Sequence, residues 1–292
     1  MLNNRKMQDR KMWREGVSLG SFSCLAFSCW FILLAAASSI AQDPAGDDAA
    51  AKRAADFLQA TAEKLAIEAD ASNKGSLAIV KSPLLKYSDP ARGYSAAGVW
   101  RLGEKGRPAA IVSLEYWLRA DTDEPRLMYE LVSLARFPFT ISSPWAKLPT
   151  DGAPPDFVAL DAADKPAAGE KQRLVQLRAL ARRFAVSEKN MGEFASLRLL
   201  PQPIDRYSDA DRDIVDGGLF MFVYGTNPEA ALWLEAGKDG WRYSVARMTW
   251  AEVVVQFDGK DVARFEQLTG FPARGPYRSA GHVTEDVSRG EK

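Results

Sequence analysis

The stretch SLRLLPQPIDRYSDADRDIVDGGLFMFVYGTNPEAALWLE, residues 196–235, lies without a gap on SLAIVKSPLLKYSDPARGYSAAGVWRLGEKGRPAAIVSLE, residues 76–115, at an offset of 120 positions. Twelve of the 40 aligned positions are identical, among them Tyr87/Tyr207, Ser88/Ser208, Asp89/Asp209, Arg92/Arg212, Gly98/Gly218 and Glu115/Glu235. Unrelated segments of ordinary composition share about two or three at this length. The match predicts a chain built from two versions of one unit.

Upstream of the first copy, Arg5, Lys6, Arg10, Lys11 and Arg14 precede an apolar run from Leu25 to Ala37 and the small-residue triplet Ser39-Ile40-Ala41. This order reads as an export signal, residues 1–41, cleaved after Ala41. The alternative is an uncleaved N-terminal anchor, since Ser21 to Ala41 could just span a bilayer. Met1, Met7 or Met12 could each be the start. Cys24 and Cys29 both fall inside the leader, so the exported chain, periplasmic or extracellular, has to hold itself together by core packing instead of disulfides.

The whole chain carries 38 basic and 38 acidic residues; taking away the leader's five Lys/Arg and two Asp/Glu leaves 33 and 36, a formal charge of −3. No basic excess or stripe favours nucleic acid. The single histidine, His282, reads as an exposed residue of a polar tail. Chemistry that needs several histidines or cysteines, such as a zinc site, a haem ligand pair or a histidine triad, is left without its residues, and no metal or cofactor is expected. No phosphate-binding glycine loop, G-x-S-x-G elbow or calcium-loop pattern occurs.

The predicted fold class is α+β: two pseudo-symmetric repeats, each an N-terminal helix followed by an antiparallel β-meander of about four strands. Unit 1 covers 42–150 and unit 2 covers 151–275, packed together, with 276–292 a frayed polar tail. In unit 1, an alanine-rich amphipathic helix with Leu58, Ala62, Leu65 and Ala69 on one stripe runs to about Ala69. Strands follow at Leu77, Ser95 to Leu102, Ala109 to Trp117 and Leu127 to Ala135. In unit 2, a helix spans Gly169 to Ser187, with Phe184 on its buried stripe. Leu219 to Tyr224 is apolar on both faces and belongs in the middle of a covered sheet. Hairpins are expected at Gly237 to Gly240 and at Asp258-Gly259. Five prolines between Pro144 and Ala168 mark the junction.

Three sets of side chains are candidates for function. In the twin Tyr-Ser-Asp-x-x-Arg loops, each aspartate can accept turn amides and pair with the arginine three residues on, which makes a self-contained turn. Alternatively Asp89, Arg92, Asp209 and Arg212 face an anionic or sugar ligand together. Glu115 and Glu235, at the ends of matching strands, could form a carboxylate pair for glycoside hydrolysis across an approximate two-fold axis, or be exposed strand ends. Trp117, Trp145 and Trp241 border loops and could stack on a glycan, whereas Trp100 and Trp233 interrupt apolar strands and belong to the core.

The leader, the duplicated YSD-x-x-R loop and the run Gly225-Thr226-Asn227-Pro228-Glu229-Ala230-Ala231-Leu232-Trp233-Leu234-Glu235-Ala236 together resemble a family of uncharacterised exported bacterial proteins with no assigned activity. The resemblance implies export and assigns no catalytic residue. The expected function is that of an exported, non-enzymatic binding or envelope-associated protein whose partner is a glycan or envelope protein, with no transmembrane segment once the leader is removed. The alternative is a carboxylate-dependent, glycosidase-like hydrolase using Glu115 and Glu235.

Overall fold

A computed structural model describes residues 44–74, 77–89, 93–118, 124–161, 163–190, 192–272 and 274–287. The expected leader with Cys24 and Cys29, and the candidate Arg92, lie outside the described residues. The chain opens with α1 (Pro44–Glu63), β1 (Ala66–Glu68) and the single turn α2 (Ala71–Lys74). Four long-range strands follow: β2 (Leu85–Asp89), β3 (Tyr94–Leu102), β4 (Ala110–Trp117) and β5 (Arg126–Ser133). The short strands β6 (Thr140–Ser142), β7 (Lys147–Pro149) and β8 (Val158–Ala159) lead to α3 (Glu170–Ala181). Beyond it come β9 (Phe184–Asn190), β10 (Glu193–Ser196), β11 (Arg198–Leu199), β12 (Asp205–Asp209), β13 (Ile214–Tyr224), β14 (Asn227–Gly237), β15 (Gly240–Arg247), β16 (Val253–Phe257), β17 (Lys260–Phe265) and β18 (Tyr277–Val283).

These strands make four antiparallel sheets. Two large ones carry the molecule, with orders β18-β5-β4-β3-β2 and β11-β13-β14-β15-β8, β12 also pairing with β13. Two smaller ones, β1-β6-β7 and β10-β9-β16-β17, lie outside them. The centres of the large sheets match residue for residue. Leu85 pairs with Val99 and Tyr87 with Ala97, then the register slips so that Asp89 meets Tyr94. A hundred and twenty residues on, Asp205 pairs with Leu219 and Tyr207 with Gly217, and the same slip brings Asp209 to Ile214. The lone bridge Ile79–Leu102 likewise has Leu199–Phe222 as its counterpart.

The period-two alternation of side chains along β13 explains the layering. Leu219, Met221 and Val223 point to one face and join Val99, Ile111 and Val132 of the other large sheet, with Trp233 and Ala231 beside them. Phe220 and Phe222 point to the opposite face and pack with Leu177 of α3, Phe184, Val253 and Val255. On the far side of the first large sheet, Ala54, Leu58 and Ala62, one stripe of α1, pack with Trp100, Leu102, Val112 and Leu114. Two sheets therefore press face to face, and each is covered on its outer face by a helix and a small sheet. Burying a side chain such as Leu58 in this way contributes about 1.5–3 kcal/mol.

The architecture corrects the predicted class. Strands take up 47% of the described residues and helices 16%, with three helices and four sheets, so the fold is sheet-rich and not a pair of helix-plus-meander units. The excess strand has identifiable sources. The helix expected to reach Ser187 ends at Ala181, because Phe184, Val186 and Glu188 alternate toward the interior with Ala185, Ser187 and Lys189 facing out, and β16 pairs with this run at Val186–Val255. The segment after α1 adds Ile67 to a sheet with Ile141 instead of extending the helix. The stretch from Gly275, expected to fray, forms β18, which covers the edge of β5 from Tyr277–Val132 to Val283–Arg126. The hairpin at Asp258-Gly259 forms with both residues at positive φ, 49° and 76°, as its two-residue turn demands. Among the described residues no helix is long and apolar enough to cross a membrane.

Candidate functional site

Residues shared by the two matching stretches make the same hydrogen bond in each large sheet. Tyr87 hydroxyl donates to Glu115 Oε1 at 2.7 Å, and Tyr207 hydroxyl donates to Glu235 Oε1 at 2.8 Å. In each case the tyrosine precedes the slip in the edge pair and the glutamate lies across the neighbouring strand, Glu115 opposite Ala97 and Glu235 opposite Gly217. Burial first, and the adjacent carboxylate second, push both phenols well above their ordinary range, so both remain donors. Glu115 is 3% exposed and Glu235 0%, which corrects the picture of exposed strand ends.

Around these pairs the surroundings diverge. Glu235 is closed in by two guanidiniums. Arg107, from the β3–β4 turn, grips it through Nε at 2.7 Å and Nη2 at 2.5 Å, and Arg242, its cross-strand neighbour on β15, adds a bond at 2.8 Å. The Arg107 guanidinium is capped by the Phe157 ring at 3.9 Å. This arrangement neutralises a carboxylate removed from water, and it leaves no opening for a substrate.

At Glu115 the corresponding places are held by different residues. Met128 stands opposite it where Arg242 stands opposite Glu235, and the residue 120 positions after Arg107 is Asn227. Here the structure opens into a pocket of about 360 Å³ lined by Glu115, Glu130, Glu188 and Glu229, with Trp117, Trp250, Met128 and Met248 as apolar walls. Trp117 Nε1 donates to Glu115 Oε2 at 3.1 Å, Trp250 Nε1 to Ser279 Oγ at 2.7 Å, and Asn227 Nδ2 to Glu229 Oε1 at 3.0 Å. The lining cation, Lys189, pairs with Glu252 at 3.7 Å. Tyr277 on β18 donates to Glu130 at 2.5 Å. Burial, followed by repulsion from Glu115, pushes the Glu130 carboxyl well above the usual carboxylate range against the opposing pull of Tyr277, with Glu229 adding repulsion. Four carboxyl groups, aromatic faces and thioethers can together hold a cation that carries an apolar portion.

The remaining candidates have structural settings. Arg212 pairs with Asp209 at 2.6 Å, as the self-contained turn requires, and Asp209 also accepts from the Arg107 amide at 3.2 Å. Burial alone would raise the Asp209 carboxyl, but Arg212 and these amides hold it below its ordinary value. The Tyr-Ser-Asp runs, expected as loops, end the strands β2 and β12, and each aspartate seats on a hairpin turn of the opposite large sheet. A Cβ at Gly106 would come within 2.6 Å of Asp209 Oδ2, and one at Gly225 within 2.7 Å of Asp89 Oδ2. Thr226 hydroxyl, next to Gly225, donates to the Ser88 carbonyl. These reciprocal contacts tie the two sheets together, and they leave Asp89 and Asp209 on separate turns. Trp241, expected at a loop border, is 4% exposed in the core beside α3; Trp100 and Trp233 are core as expected, and Trp145 is 72% exposed.

Sequence reasoning missed Glu130, Glu188, Glu229, Trp250 and Tyr277. Only Glu229 stood inside the matching stretches; the others come from segments whose convergence depends on the sheet-on-sheet packing. Among the described residues no group of three or more His, Cys, Asp or Glu is arranged to hold a metal ion. Comparison of the chain with protein-family models, curated proteins and solved structures yields no match.

Two outcomes test these assignments. Replacing Arg107 by alanine strips Glu235 of its two-point partner and is expected to cost about 3–5 kcal/mol, read from urea unfolding; adding Glu235→Gln should restore more than half of that loss. The second concerns pH. The folded state, with the Glu130 carboxyl raised, binds more protons than the unfolded chain, so stability falls as pH climbs from the ordinary carboxylate range through the raised value. Urea midpoints measured across that range should decline in the native protein and decline less in Glu130→Gln, which keeps an acceptor for Tyr277; equal declines would remove Glu130 as the source.

Proposed function

We propose that this chain is an exported binding protein that captures the cationic end of a small ligand, an amine or guanidinium with an apolar arm, in the pocket between the two large sheets. The observation that carries this reading is the contrast between Glu115 and Glu235. At one position, two arginines of the chain occupy the carboxylate. At the position related by the same register, Glu115 lines a pocket with Glu130, Glu188 and Glu229 beside two tryptophans. A ligand guanidinium or ammonium has there the same kind of partner that Arg107 has at Glu235. Matching registers 120 residues apart support an internal duplication whose two copies differ in what surrounds the shared glutamate.

Export is proposed from residues 1–41, with their basic start, apolar run and Ser39-Ile40-Ala41. N-terminal sequencing of the protein recovered outside the cytoplasm should begin at Gln42; an intact leader there would favour the anchor instead. A second reading, a carboxylate-dependent hydrolase, is favoured by Glu130, a carboxyl raised by burial and by the neighbouring Glu115, the direction that suits general-acid work. The Glu115/Glu235 pair does not serve that reading, because Glu235 is wholly buried under two arginines.

The binding reading is tested by titrating the protein with butylguanidinium, butylammonium and neutral butanamide, following tryptophan fluorescence and heat. The two cations should saturate a single site and butanamide should not bind. Affinity should tighten with rising pH, since deprotonating Glu130 adds negative charge to the pocket. Glu115→Gln should weaken binding about tenfold to a hundredfold, the range for losing a charged hydrogen bond of about 1.5–3 kcal/mol. Equal binding of butanamide, or an unchanged affinity in Glu115→Gln, would overturn the reading, and turnover of a glycoside panel that disappears in Glu130→Gln would replace it with the hydrolase.

A further inference from the structure

A larger cavity lies on the outer face of the first large sheet, away from the carboxylates. It has a volume of about 470 Å³ and is walled by Phe57, Thr61 and Lys64 of α1, Leu127 and Tyr129 of β5, Ser143 to Trp145 of the β6–β7 turn, and β18 with the residues that follow it, His282 to Glu285. Its rings are arranged as a tilted stack: the His282 centroid lies 5.7 Å from that of Tyr129 at 25° between planes, and 5.7 Å from that of Trp145 at 27°.

Trp145 is 72% exposed, an unusual state for the side chain with the most apolar surface to hide. The turn that presents it is nonetheless firmly held. The amides of Trp145 and Ala146 both donate to Ser143 Oγ, at 3.3 and 3.1 Å; Ser143 Oγ donates to the Tyr129 hydroxyl at 3.2 Å; and the Ser143 amide donates to the Ala146 carbonyl at 2.9 Å. A broad aromatic face is thus fixed before any ligand arrives, which lowers the ordering cost of binding. Burial lowers the His282 imidazole below its ordinary range, so a neutral ring lines the cavity, and its Nδ1 is buried with no hydrogen-bond partner.

From this geometry we infer that the cavity over Trp145 and His282 is a second binding site, for an uncharged saccharide of one or two pyranose rings. A pyranose has an apolar C–H face that packs on an aromatic ring and a rim of hydroxyls that need donors and acceptors, and the cavity supplies both. Trp145 offers the face, while Thr61, Thr284, Lys64 and Glu285 line the cavity as polar groups. One cation and one anion among them give no preference for a charged ligand: a phosphate or sulfate would call for several basic groups, and an acyl chain would leave these polar groups without partners. The volume falls at the lower end of the range for small-molecule sites, about 300–1,000 Å³. This site shares no residue with the cation pocket, so either can stand without the other.

The test uses the chain from Gln42 onward, which forms one compact unit, titrated with cellobiose, chitobiose, maltose and mannobiose by calorimetry and tryptophan fluorescence. At least one disaccharide should bind saturably with a change in emission. Trp145→Ala, at a position too exposed to affect folding, should weaken that binding tenfold or more while leaving the urea midpoint unchanged. Glu115→Gln should leave it unaltered. Failure of all four disaccharides to bind, binding that survives Trp145→Ala, or loss of saccharide binding in Glu115→Gln would each overturn the assignment.

Discussion

The apolar seam between the two large sheets is the constraint on which the rest of the structure depends. Val99, Ile111 and Val132 on one side and Leu219, Met221, Val223 and Trp233 on the other are fully removed from water, and both sheets also carry an apolar outer face. A sheet that is apolar on both sides must be covered on both. The seam covers the inner faces, and α1, α3 and the two small sheets cover the outer ones. Each residue of β13 therefore has an assigned layer, and a one-residue slip would turn Phe220 and Phe222 into the seam and Leu219 and Met221 out of it.

The polar groups at the margins of the seam follow from this packing. Glu115 and Glu235 sit on the inner faces of their sheets, beside the seam, where an unpartnered carboxylate would be costly. Each receives a tyrosine hydroxyl from a strand two places away in its sheet. Beyond that, Glu235 is enclosed by Arg107 and Arg242, and Glu115 lines a pocket with Glu130, whose carboxyl is raised by burial and by Glu115 itself. The two glutamates thus stand at matching registers in different settings, a closed ionic cluster and an acidic cavity, with Met128 opposite one and Arg242 opposite the other.

The outer cavity has another origin. It exists because β18 returns from the end of the chain to cover the edge of β5, bringing His282 beside Tyr129 and under the turn that carries Trp145. An unpaired edge invites association with other chains, so the strand that protects the edge also completes the aromatic wall. The seven residues of β18 both protect that edge and bring His282 and Val283 to the cavity.

Much of the central framework was legible in the sequence. The apolar strand through Leu219 to Tyr224 and the hairpins at Gly237 to Gly240 and Asp258-Gly259 follow from local turn chemistry and from periodicity, which act over a few residues and need no partner to be read; the Tyr-Ser-Asp runs, expected as loops, instead close the strands β2 and β12. The self-pairing of Asp209 with Arg212 was legible for the same reason. The end of α3 and the strand after it were not, because the apolar spacing at Leu177, Ala181 and Phe184 suits a helix and only pairing with β16 draws Phe184 to Asn190 into a sheet. Nor was β18, whose polar residues carry no strand signal apart from the edge they cover. What the sequence by itself determined is the local hairpin turns, the apolar strand ending at Tyr224 and the matching Tyr and Glu positions. The tertiary structure alone decided which glutamate is sealed by arginines and which lines a cavity, because Arg107, Glu130, Trp250 and Tyr277 reach their places only when two sheets far apart along the chain close on one another.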